Sequence, residues 1–123
     1  MQYAILCYHD ENVTCAWSKE HDDTVMEKLG TVMEKYAEAG KLGPVARLLP
    51  TTAATTLRKD REPALVIDGP FAETKEQLLG FYIVDCSSLE EALEFARELG
   101  AVNPGGSYEI RPVGVFFPGQ VAL

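Results

Sequence analysis

The spacing of apolar positions changes several times along this chain, and each change marks an element. Residues 3–8, Tyr-Ala-Ile-Leu-Cys-Tyr, are apolar at successive positions rather than at every second one, which predicts a strand covered on both faces. After Ser18 the period becomes helical. Val25, Leu29, Val32 and Tyr36 share one stripe, with Met26 and Met33 beside it. Ser18 can cap the start and Gly40 can stop the end, so a helix is expected over residues 18–39. Gly30 weakens its middle by about 1 kcal/mol relative to Ala. Residues 42–49 return to strand, entered through Gly43-Pro44 and stopped by Pro50. Residues 55–58 and 64–67 flank the polar turn Lys59-Asp-Arg-Glu-Pro63 and read as a hairpin. Residues 80–84 form a second strand apolar on both faces. Ser88 and Glu91 have capping-box spacing. They open a helix lined by Leu89, Ala92, Leu93, Ala96 and Leu99 and closed by Gly100. The turn Asn103-Pro-Gly-Gly106 leads into a last strand over residues 107–113.

The order is strand, helix, strand, inserted hairpin, strand, helix, strand. Two split βαβ units of this kind define the α+β class: a ferredoxin-like sandwich with an antiparallel sheet, here carrying an inserted β-hairpin. No internal repeat or low-complexity stretch interrupts residues 1–123, so a single domain is expected. The first and third core strands belong in the middle of the sheet. Two helices can cover only one face of it. An uncovered apolar face built from Tyr3, Ile5, Phe81 and Ile83, or from their alternates, exceeds what a monomer tolerates. A homodimer joined through the sheet face is the expected remedy, and a tail folded back at Phe116-Phe117 is the alternative.

Charge narrows the partners. With a net charge of −8 and the basic residues scattered, no stripe exists to hold nucleic-acid phosphates, and no nucleic-acid partner is expected. No apolar run reaches the roughly 20 residues that cross a bilayer, so no membrane partner is expected either. The N-terminal residues lack the basic flank and small-residue cleavage site of a secretion signal. Cys7, Cys15 and Cys86 are odd in number and show no C-x-x-C spacing, which fits a reducing cytoplasm. Two separated histidines without a Cys or His cluster give no metal site. No glycine-rich nucleotide loop or serine-nucleophile motif is present, so no cofactor is expected.

The candidate chemistry is sparse. Asp68 ends an apolar strand before Gly69-Pro70, where desolvation can raise a carboxyl pKa and make an acid or base; the same residue type fixes turns by accepting backbone N–H groups. His9 follows the first strand beside Asp10 and is the better of the two histidines for proton transfer near neutral pH. His21 reads as part of a solvated helix start. Arg111, between Ile110 and Pro112, and Arg58, in the hairpin, can each clamp a carboxylate; each can equally pair within the structure, Arg111 with Asp68 or Glu109. Glu73, Lys75 and Glu76 form a charged cluster that can reach over a cavity mouth or simply be a solvated loop. Trp17 can line a pocket or pack as a hydrophobic staple on the helix that follows it.

One segment is more specific than these single residues. Asp68-Gly-Pro-Phe-Ala-Glu-Thr-Lys-Glu76, Gly80-Phe-Tyr-Ile83, Leu89-Glu-Glu-Ala-Leu93 and Glu109-Ile-Arg-Pro112 together resemble the YCII-related proteins of the DGPF type. Leu79 stands where many relatives carry a second glycine. The resemblance implies a dimeric α+β barrel and cytosolic bacterial relatives. It also implies a superfamily of small lyases, isomerases and dehydrochlorinases acting on cyclic or aromatic acids, along with ligand binders. Some relatives use a His and an Asp as an acid–base pair, which puts His9 and Asp68 forward as catalytic candidates, with Arg111, Arg58, Glu73 and Lys75 as substrate-binding ones. Two functions follow: a cofactor-independent lyase or isomerase acting on a small organic acid, or a non-catalytic dimeric module that binds a small ligand.

Overall fold

In the computed structural model, which describes residues 1–121, the chain folds in the expected order with two short additions, a one-turn helix after the first strand and a 3-10 turn at Thr51–Ala53. Strand β1 (Gln2–His9) is followed by a one-turn helix α1 (Glu11–Thr14) and the long helix α2 (Lys19–Glu38). Strand β2 (Leu42–Arg47), the hairpin strands β3 (Thr55–Arg58) and β4 (Leu65–Asp68), and strand β5 (Gln77–Asp85) come next. Helix α3 (Leu89–Val102) and strand β6 (Ser107–Pro112) complete the chain. The sheet order is β2-β5-β1-β6 with every neighbour antiparallel, and β3-β4 form a separate two-stranded ribbon. This is the ferredoxin-like α+β arrangement with its inserted hairpin, and β1 and β5 hold the centre.

Local chemistry sets the helix ends. Ser18 accepts a hydrogen bond from the backbone N–H of His21 at 3.0 Å. At the other end Gly40 takes φ +73° and the N–H of Lys41 bonds the carbonyl of Tyr36 at 2.9 Å, the left-handed stop that glycine allows without strain. Ser88 caps α3 through the N–H of Glu91 at 3.3 Å. The Glu91 carboxylate, however, takes the hydroxyl of Ser87 and the Lys41 ammonium rather than closing the box on Ser88. Helix α3 continues past Gly100 to Val102, because Gly100 keeps a right-handed conformation there.

The register corrects the expected sheet faces. Tyr3 pairs with Val84 and Ile5 with Tyr82, and these four are buried together beneath the helices against Phe95 and Leu99. Phe81 and Ile83 pair with Leu6 and Ala4 and face the other way. Tyr3, Ile5, Phe81 and Ile83 therefore occupy two faces. Alternation along a strand fixes which residues travel together, but only cross-strand pairing shows which set lies under the helices. The face away from the helices carries Ala4, Leu6, Ala46, Phe81 and Ile83, all half-buried, with Glu109 and Arg111 at its β6 edge. Phe95 stacks on Tyr36 at 3.9 Å between ring centroids and meets Tyr82 edge-on at 6.0 Å, joining both helices to the sheet.

Candidate functional site

A half-open cavity of about 410 Å³ lies between α2 and the end of the sheet where β1 finishes. Val25, Met26, Leu29 and Met33 of α2 form one wall, and Cys7, Tyr82 and Tyr108 of the sheet form another. Trp17 and the loop at Leu48-Leu49 flank the opening. The helical stripe seen in the sequence thus serves as core and cavity wall at once: Val25 and Leu29 are buried, while Met26 is exposed toward the opening.

His9 is held at this cavity by a device the sequence displays. Gly105 and Gly106 have φ of +91° and +74°, conformations that disfavour any side chain. The imidazole fills the space a side chain would need. A Cβ on Gly105 would stand 2.7 Å from His9 Nε2, and one on Gly106 would stand 3.0 Å from His9 Cδ2. Trp17 meets His9 edge-on at 6.1 Å and His21 edge-on at 4.6 Å, so it packs between the two histidines rather than as an apolar staple. His9 Nδ1 is buried and has no hydrogen-bond partner among the described residues. Asn103 Oδ1 is in the same position, although its amide Nδ2 donates to the Tyr108 hydroxyl at 3.4 Å.

The charged groups on the cavity wall are occupied. Arg47 donates Nη1 and Nη2 to the two carboxylate oxygens of Asp22, at 3.2 and 3.0 Å, linking β2 to α2. The Glu11 carboxylate accepts from the backbone N–H of Thr51 at 2.9 Å and from the Thr51 hydroxyl. In turn, the N–H of Glu11 donates to the side-chain oxygen of Gln77 at 2.9 Å. Burial pushes the Cys7 thiol up to about 12 and raises the Tyr82 and Tyr108 phenols as well, so all three stay protonated at neutral pH.

Of the catalytic and substrate-binding candidates singled out in the sequence, His9 alone lines this cavity, joined by Trp17, which was read as a pocket-lining candidate. Asp68 ends β4 on the ribbon, exposed and opposite Thr55. The turn after it is fixed by the Gly69 backbone, whose N–H donates to the Ala54 carbonyl at 2.7 Å and whose carbonyl accepts from the Thr56 hydroxyl at 2.8 Å. Arg58 donates to the Phe71 carbonyl at 2.9 Å and ties the ribbon to the Gly69-Pro70-Phe71 turn. Arg111 pairs with Glu109 at 2.6 Å on the face away from the helices, and that bond holds the Glu109 carboxyl below its usual range. Glu73 and Lys75 are exposed in the loop before β5. The structure brings none of these five to His9. Arg47, Asp22, Glu11 and Asn103 were missed, and only Asn103 carried a signal: it opens the Asn-Pro-Gly-Gly turn whose backbone cradles His9. Among the described residues no cluster of three or more His, Cys, Asp and Glu can hold a metal ion. Among them, no helix is long and apolar enough to cross a membrane.

Fold and cavity together define a ferredoxin-like α+β domain with a lateral, mostly apolar pocket. Residues 1–116 match the YCII-related domain, and the chain belongs to that family. It is 64% identical over 122 residues to an uncharacterized protein of Rhizobium meliloti (strain 1021), an alignment that covers 98% of each chain.

Proposed function

We propose that this protein binds a small organic molecule in the cavity beside α2, where His9 and Asn103 stand on an otherwise mostly apolar wall. One observation carries the reading: a half-open, mostly apolar cavity of about 410 Å³ with a few polar side chains, His9 and Asn103 among them, on its lining. Ligand sites are concave, mainly apolar and furnished with a few convergent polar groups. Trp17 is the single tryptophan and stands at the opening, so its emission reports occupancy. Titration of the full chain with small aromatic compounds is expected to change that emission saturably and to raise the melting temperature, since binding to the native state stabilises it. A flat response to every compound overturns the reading.

A second reading, a cofactor-independent lyase or isomerase, is favoured by the His9 imidazole on the cavity wall, because imidazole is the commonest general acid and base in enzymes. In this reading His9 acts without Asp68, which stands on the ribbon. A His9→Gln variant that binds ligand but no longer turns it over supports catalysis; equal loss of binding with no turnover in the parent supports recognition alone.

The same proposal includes a homodimer. Two helices cover the Tyr3–Ile5 side, and the opposite face keeps Leu6, Phe81 and Ile83 half-buried and without a helix. Pairing of that face in two copies removes it from water on both. Phe117 remains 84% exposed and offers this face no full cover. Sedimentation is expected to give a dimer at micromolar concentration, and Ile83→Glu is expected to give a monomer; a monomeric parent overturns the assembly. Three free thiols fit residence in a reducing cytoplasm.

A further inference from the structure

We infer that the cavity selects an uncharged ring compound, such as a phenol or an aromatic alcohol, and rejects carboxylates. The inference rests on the cavity reading above and adds the chemical class of its ligand. Among the described residues, the charged side chains lining the cavity are Glu11, Asp22 and Arg47. Arg47 is the single cationic residue of the three, and its guanidinium is already engaged two-point by Asp22. That bond geometry is the one Arg would use to clamp an incoming carboxylate. The remaining fixed charge is the Glu11 carboxylate, so an anion entering the cavity meets net negative charge on a chain already at −8. Arg58, Arg111 and Lys75, which a substrate anion would need, do not line the cavity.

Size agrees: an apolar cavity of about 150 Å³ already takes benzene, so about 410 Å³ holds a ring with substituents. The aromatic rings of Trp17, Tyr82 and Tyr108 on the wall suit a flat partner.

The test uses the full chain, Trp17 emission and the probe pair phenol and benzoate, which share a ring and differ in charge. Phenol is expected to bind at least about tenfold more tightly than benzoate, a difference of about 1.4 kcal/mol. Benzoate binding as tightly as phenol, or more tightly, overturns the selectivity while leaving the cavity reading in place. Silence with both probes overturns the cavity reading and this inference together. Asp22→Asn frees the Arg47 guanidinium and is expected to raise benzoate affinity relative to phenol by at least about fivefold. An unchanged ratio in a variant that keeps the parent's melting temperature shows that the Arg47–Asp22 pair does not exclude anions, and overturns the mechanism proposed.

Discussion

Strands β5 and β4 are written in similar letters and end in opposite environments. Val84 of β5 is fully buried, whereas Val66 of β4 is 64% exposed. Both strands suit an extended backbone, and both pair antiparallel with a neighbour. The difference is what lies above them. Val84 sits under α3 within the cluster of Tyr3, Ile5, Phe95 and Leu99. Val66, Leu57, Leu65 and Ile67 stand on a two-stranded ribbon with no helix packed on it, and all four are exposed. An isolated two-stranded pair is marginal in water. Strand propensity therefore tells that a segment is extended, while stability comes from the layer placed against it. The candidate site follows the same division: the cavity is built on the packed region, and the Asp68–Glu76 segment lies on and after the ribbon.

The contrast breaks most sharply at Phe95, fully buried and touching rings on α2 and β5. Phe95→Ala is expected to cost about 3–5 kcal/mol in urea unfolding, and Val66→Ala on the ribbon less than about 0.5 kcal/mol. Equal losses would show that the ribbon is as tightly packed as the core. Next comes Gly80, where a Cβ would stand 2.6 Å from the Ala46 carbonyl across the β2–β5 pair. Gly80→Ala is expected to lower stability by about 1–3 kcal/mol, read by the same unfolding curve, because backbone and not a mobile side chain is in the way.

A smaller effect is expected at the junction of the two helices. Hydrogen bonds from Lys35 and Tyr36 hold the Glu98 carboxyl below its usual range. A carboxyl whose folded pKa is depressed contributes stability above its unfolded value, about 4.3, and loses it as pH falls through the folded value. Glu98→Gln should therefore melt below the parent at neutral pH, with the gap closing below about pH 4. A gap that widens in acid would contradict the assignment. The mildest probe is thiol labelling at neutral pH. Cys15 is exposed, Cys7 is pushed up to about 12 by burial, and Cys86 is buried with its pKa also raised. One thiol should react rapidly in the native protein and all three after denaturation.

Much of the fold was legible because its signals are local. Ser18, Gly40 and Ser88 mark helix ends by hydrogen bonds spanning only a few residues. The short α1 was not read, because its only cue is Asp10 accepting from the N–H of Asn12 at 2.9 Å over a single turn. Strand β5 begins at Gln77 rather than at Gly80, since an irregularity opposite Cys7 and Tyr8 lets Leu78 and Gln77 rejoin the pairing. The site was legible only at His9 and Trp17. Arg47 and Asp22 lie 25 positions apart, and nothing in their local context announces that they meet.

The order of residues thus settled the sequence of strands and helices, the caps and the split βαβ arrangement, because backbone hydrogen bonding and apolar period act over short stretches of chain. The tertiary structure alone decided which strand face the helices cover, which polar atoms go unpaired and which side chains share a cavity. Those outcomes depend on register and layer packing between segments distant in sequence, and a one-residue slip in pairing would reverse every one of them.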